Sequence, residues 1–125
     1  IRKKEKRAVA GLSMGGFHSL FIALNHPEKF NYVGLLSAGL NTAFLDMTKP
    51  AYKDMETKLK NFQKEGYDLF WIACGKDDFL YQNNLDFMKT CDNIGFEYTY
   101  HESERGHIWA NWRQYLLLLT PMLFK

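Results

Sequence analysis

The chain has little cysteine, no long hydrophobic run and almost no excess of charge, and each shortage excludes something. Two cysteines in 125 residues, Cys74 in an apolar run of strand length and Cys91 in a helical stretch, make neither a disulfide framework nor a metal site at that spacing. No apolar stretch approaches the length of a membrane span, so no membrane partner is expected. Sixteen Lys and Arg against fourteen Asp and Glu leave a formal charge of +2. Five of those cations, Arg2, Lys3, Lys4, Lys6 and Arg7, crowd ahead of a buried-looking strand, and the remainder of the chain is slightly acidic. Such a cluster reads as a solvated helix end or loop, and no nucleic-acid partner is expected.

Aromatic residues, by contrast, are plentiful: ten Phe, seven Tyr and three Trp. Most fall at strand or amphipathic-helix spacing, where core packing accounts for them. The hydrophobic pattern predicts strands over 7–12, 31–37, 68–74 and 96–101, and helices over 15–25, 51–65, 81–94 and 108–124. In the first helix Phe17, Leu20, Phe21 and Leu24 form one apolar stripe that Pro27 stops. In the last, Trp109, Trp112, Leu116 and Leu119 recur at helical spacing, a face suited to packing against a sheet. Alternating strands and helices imply an α/β fold with a parallel sheet and right-handed crossovers. The segment 41–50 lacks periodicity and is expected to be a loop at the active edge that shapes a substrate pocket.

Gly11-Leu12-Ser13-Met14-Gly15-Gly16 stands between the first strand and the first helix. A serine flanked by near glycines at a strand-to-helix turn has the form of a nucleophile elbow. The sharp turn exposes the hydroxyl, and the crossing strand and helix leave room only for small residues at Gly11 and Gly15, with Gly16 allowing still closer packing. A serine nucleophile needs an acid and a histidine, in the chain order Ser, Asp, His for this kind of fold. Asp77 and Asp78 follow the third strand, and His107 follows the fourth in the setting Gly106-His107. His101, at the end of the fourth strand, is a rival base. His18 and His26 read as packing, surface or capping residues. A metal site from His101, Glu104 and His107 lacks distinctive ligand spacing.

With Ser13, Asp78 and His107 placed, the chain resembles the C-terminal half of the esterase D-like branch of the α/β-hydrolase fold. That branch includes the feruloyl and acetyl xylan esterases of carbohydrate esterase family 1, with enterochelin esterases, S-formylglutathione hydrolases and mycolyltransferases as broader relatives. The resemblance runs along nearly the whole chain, through the blocks Arg7 to Gly16, Trp71 to Asp78, and Gly106-His107-Ile108-Trp109 followed by Trp112. It implies Ser13 as nucleophile, His107 as general base and Asp78 as orienting acid, since the acid of this family stands three positions after the strand-end glycine. It also implies that the Met14 backbone N–H serves the oxyanion hole, while the second donor lies outside this sequence. Trp109 and Asn41 are the substrate-proximal candidates.

The implied activity is hydrolysis of carbohydrate-linked acyl esters, feruloyl or acetyl, through an acyl-enzyme and without metal or cofactor. An S-formylglutathione hydrolase-like thioesterase, a broad esterase and a non-catalytic binding module are the alternatives. The substrate alcohol is expected to be plant cell-wall carbohydrate, and the protein to be secreted or periplasmic, with a cytoplasmic place under the thioesterase reading. Residues 1–125 are expected to be the C-terminal half of a single hydrolase domain whose N-terminal strands are missing. The missing half, or a second copy in a homo-oligomer, would cover the open sheet edge.

Overall fold

Four strands build one parallel sheet: β1 (Ala8–Leu12), β2 (Tyr32–Leu36), β3 (Leu69–Gly75) and β4 (Thr99–Ser103), in the spatial order β1-β2-β3-β4. The computed structural model describes residues 3–40 and 48–125. The two central strands are apolar along their length because both faces are covered: β2 is buried at every position and β3 at all but its first. Register follows from pairs such as Leu12 with Leu36 and Leu36 with Ala73, so the strands end in step. At the opposite, amino-terminal edge Asn31 ties three strands together. Its backbone N–H donates to Arg7 O (3.2 Å) and its side-chain amide to Asp68 Oδ2 (2.8 Å).

The helices divide unequally over the two faces. α1 (Met14–Asn25), α2 (Met55–Glu65) and α3 (Tyr81–Asn93) cover one face, where Leu20, Leu24, Leu59, Phe62 and Cys91 pack with Val33, Leu35, Phe70 and Ile72 of the sheet. Each fully buried Leu or Phe there contributes roughly 1.5–3 kcal/mol. α4 (Trp109–Leu119) covers the other face, where Tyr115 and Leu119 pack with Leu36, Trp71 and Ala73. Gly34 lets this helix come close, since a Cβ there would lie 2.7 Å from Leu119 Cδ2.

The element order matches the sequence reading, and the differences have local causes. The fourth strand begins three residues late, at Thr99, because Phe96 is drawn into the core. Its ring stacks on Tyr67 (5.4 Å) and meets Phe70 edge-on (4.9 Å). α2 starts at Met55, not 51, because Asp54 at its N-cap position sits in the left-handed region (φ 60°) and breaks the helical path. The last helix stops at Leu119, ahead of Pro121, and a short 3₁₀ turn follows over Thr120–Met122.

The packing face of α4 is also different. Asn111, Tyr115 and Leu119 are its buried residues, while Trp109 (72%) and Leu116 (55%) are exposed. Leu117 and Leu118 are exposed as well. Asn41 and most of the 41–50 loop lie outside the described residues. Among the described residues β1 pairs on one side only, with β2. No helix of the described residues is long and apolar enough to cross a membrane.

Candidate active site

The serine, acid and histidine candidates follow the carboxyl ends of parallel strands, the edge where open α/β sheets hold their ligands. Ser13 follows β1, Asp78 the end of β3, and His107 the end of β4. Neighbouring strands stand about 4.8 Å apart, so β1 and β4 are separated by roughly 14 Å. The loop carrying His107 must therefore reach back over the sheet, and the packing around it shows how.

Ser13 lies at φ 56°, ψ −116°, a backbone state that L-residues rarely adopt. Its conformation is held from both sides: its N–H donates to Leu36 O (2.9 Å), and its carbonyl accepts from Phe17 N–H (3.2 Å) and Gly39 N–H (3.4 Å). The side chain makes no cap bond to α1 and is left for other work. Sterics explain the glycines only in part. A Cβ on Gly11 would lie 2.1 Å from Gly15 O, and one on Gly16 2.4 Å from Ala38 Cβ. A Cβ on Gly15 would meet nothing within 4 Å, so the close approach demands Gly11 and Gly16 rather than the expected Gly11 and Gly15. Met14, the next residue, opens α1; as one of the first N–H groups of a helix, its N–H has no intrahelical acceptor.

Asp78 and His107 meet directly. His107 Nδ1–H donates to Asp78 Oδ2 at 2.9 Å, and the second carboxylate oxygen accepts the Leu80 N–H at 2.9 Å. The Asp78 side chain is fully buried and the imidazole is 21% exposed. An Asp78 carboxylate can only accept, so Nδ1 carries the proton in this bond, and in the neutral imidazole Nε2 then holds the lone pair. Asp77 is exposed and makes no such contact.

The two loops that carry the pair are locked backbone to backbone. Lys76 N–H donates to Ser103 O and Asp77 N–H to Arg105 O, both at 2.9 Å. A Cβ on Gly75 would lie 2.3 Å from Arg105 O, so the strand-end glycine is what lets the loops touch. Asn111 of α4 adds two bonds, from its amide to Glu104 O and Gly106 O, both 2.9 Å. Arg105 itself sits at φ 64°, held in that state by its neighbours.

Trp112 connects this pair to the serine side. Its ring stands edge-on to His107 (5.0 Å, 84°), and its indole N–H donates to Ser37 Oγ at 3.2 Å. Ser37 directly follows β2, is fully buried and lies at φ 46°. Among the described residues no hydrogen bond joins Ser13 Oγ to His107; such contacts often tighten only when substrate is bound. Phe79 covers another side of the imidazole at 4.8 Å. Trp109 touches Trp112 (5.3 Å) rather than His107.

The other histidines lie elsewhere. His101 stacks on Trp71 (5.9 Å) and meets Tyr115 edge-on, on the α4 face of the sheet. His18 is exposed beside Phe17, and exposed His26 lies 3.9 Å from Glu28. Burial pushes the Cys74 and Cys91 thiols up to about 12, so neither is a thiolate nucleophile near neutral pH. Sequence reasoning missed Ser37 and Phe79. Ser37 sits in an ordinary strand end, and a lone loop phenylalanine has no periodicity to mark it.

The comparisons with known proteins agree with this architecture. The family model named Esterase matches residues 1–122. An acetyl esterase from Caldicellulosiruptor saccharolyticus is 30% identical over 92% of the chain, which spans 53% of that protein. An endo-1,4-beta-xylanase/feruloyl esterase from Xylanibacter ruminicola is 58% identical over 98% of the chain, which spans 15% of that larger protein. Among solved structures, S-formylglutathione hydrolase from Staphylococcus aureus superposes with a TM-score of 0.76 at 30% identity, covering 98% of this chain and 53% of that one. The chain belongs to the Esterase family, in the α/β-hydrolase clade that unites feruloyl and acetyl esterases of carbohydrate esterase family 1 with the esterase D-like hydrolases.

Proposed function

We propose that this chain carries the catalytic triad of a serine carboxylesterase that hydrolyses feruloyl or acetyl esters of carbohydrates. The observation that carries the reading is the 2.9 Å Asp78–His107 hydrogen bond at the sheet edge where Ser13 sits in its constrained turn. Ser13 is the nucleophile, His107 the general base and Asp78 the orienting acid. His107 Nε2 takes the hydroxyl proton as Ser13 Oγ attacks the ester carbonyl, and then protonates the departing alcohol oxygen. Asp78 fixes the tautomer and stabilises the imidazolium. The Met14 N–H, at the positive end of α1, is one donor to the oxyanion. Water activated by the same imidazole then releases the acid. Every step is carried by side chains and backbone of the protein.

Similarity to the Xylanibacter ruminicola endo-1,4-beta-xylanase/feruloyl esterase supports a carbohydrate-linked feruloyl ester, and similarity to the acetyl esterase supports an acetyl ester. The chain spans 53% of the acetyl esterase and 53% of the S-formylglutathione hydrolase. An origin outside the cytoplasm goes with a cell-wall substrate. A thioesterase is the second reading, favoured by the 30% identity to S-formylglutathione hydrolase.

The test is fluorophosphonate labelling of the full-length protein, with the adduct located by mass spectrometry, alongside turnover of acetyl, feruloyl and thioester compounds. Labelling is expected at Ser13 and lost in His107→Ala. Ser13→Ala should fold normally and lose about 10⁴- to 10⁶-fold in kcat. A folded protein that is neither labelled nor active would turn the reading to a binding module, and a strong thioester preference would turn it to the second reading.

A further inference from the structure

Phe79 is 77% exposed, yet it is not a stray surface residue. Its backbone stands between anchored neighbours: Leu80 N–H donates to Asp78 Oδ1 and Tyr81 N–H to Asp78 O, both at 2.9 Å. Its ring lies 4.8 Å from the His107 imidazole at 57°. The loop that buries Asp78 thus holds an aromatic ring beside the base, with a face open among the described residues.

Chemistry assigns that place to one part of a substrate. His107 Nδ1 is taken by Asp78, so only Nε2 serves the reaction. The oxygen that Nε2 protonates is the leaving oxygen, which must come within hydrogen-bond reach of it. The acyl carbon and its oxyanion stay by Ser13 and the N-terminus of α1. Whatever is attached to the leaving oxygen therefore lies beside the imidazole, within reach of a ring whose centre is 4.8 Å from it. From this we infer that Phe79 is a specificity-determining residue that forms a leaving-group subsite for a sugar ring. The inference rests on the esterase reading above. A sugar ring presents C–H hydrogens on its faces, and their partial positive charge suits the negative face of an aromatic ring. A small aliphatic alcohol offers too little surface to use it.

The experiment compares four esters in the full-length protein: acetyl and feruloyl esters of methanol and of methyl xyloside. Variants are Phe79→Leu, which keeps apolar bulk without a ring, and Phe79→Tyr, which restores the ring. Contact at an exposed position leaves folding intact, checked by circular dichroism and the melting temperature. In Phe79→Leu the ratio of kcat/KM for xyloside over methyl ester should fall about fivefold to tenfold, through KM, and by the same factor for both acyl groups. Phe79→Tyr should hold that ratio within about twofold of wild type. An unmoved ratio, or a change in the feruloyl-over-acetyl ratio instead, overturns the subsite while leaving the esterase reading in place. A wild-type protein that turns over none of the four esters overturns the esterase reading and the subsite with it.

Discussion

Asp77 and Asp78 are adjacent acids in opposite surroundings, one exposed and one buried against His107. Asp78→Asn keeps the shape but replaces an acceptor by an amide that can favour the wrong imidazole tautomer. It should lower kcat about 10⁴-fold with little change in KM, whereas Asp77→Asn should stay within about twofold of wild type. Steady-state kinetics on one ester checks both, and equal losses would mean that the acid is wrongly assigned. From the residues alone either acid serves; the spacing of the resembling family favours Asp78, and its buried contact with His107 supports that reading. Ser37 and Phe79 were illegible for a different cause. Their significance comes from a left-handed backbone at one and a ring contact across chain segments at the other, neither of which local composition encodes.

At the scale of elements, the strand-to-helix turn makes the clearest prediction. Its two flanking glycines look equivalent in sequence, but only Gly11 faces backbone at 2.1 Å. Gly11→Ala should destabilise the protein by about 3 kcal/mol or more, because backbone cannot yield as a flexible side chain does. Gly15→Ala, in open space on a helix, should leave stability unchanged or raise it by up to about 1 kcal/mol. Urea denaturation distinguishes them, and equal losses would refute the steric account. Periodicity finds the four strands and four α-helices of the described residues because β2 and β3 are continuously apolar and α1 carries an unbroken stripe. It misjudged the start of β4 since Phe96 is as apolar as a strand residue while packing among Tyr67 and Phe70. The face of α4 was misread because its leucines and tryptophans outnumber the positions that the sheet can cover.

For the molecule as a whole, burial of weak acids sets how it responds to alkali. Burial raises the pKa of Cys74, Cys91 and Tyr98, each to about 12, and also raises those of Tyr67, Tyr100 and Tyr115. The unfolded chain releases these protons from about pH 9 upward, near the ordinary thiol and phenol values, while the native state keeps them. The native state then binds more protons, so stability is fully present below about pH 9 and declines as pH rises toward 12. The urea midpoint should therefore fall between pH 9 and 10.5, and a flat profile would contradict it. Both thiols should resist a thiol reagent in the native protein and react once it is unfolded. The turn after β3 and the turn after β4 share two main-chain bonds, a close approach at Gly75 and the Asn111 clasp. Asp78 and His107 are thereby one inheritable module: a graft or insertion that exchanges both turns together preserves their spacing, whereas exchanging either alone uncouples it.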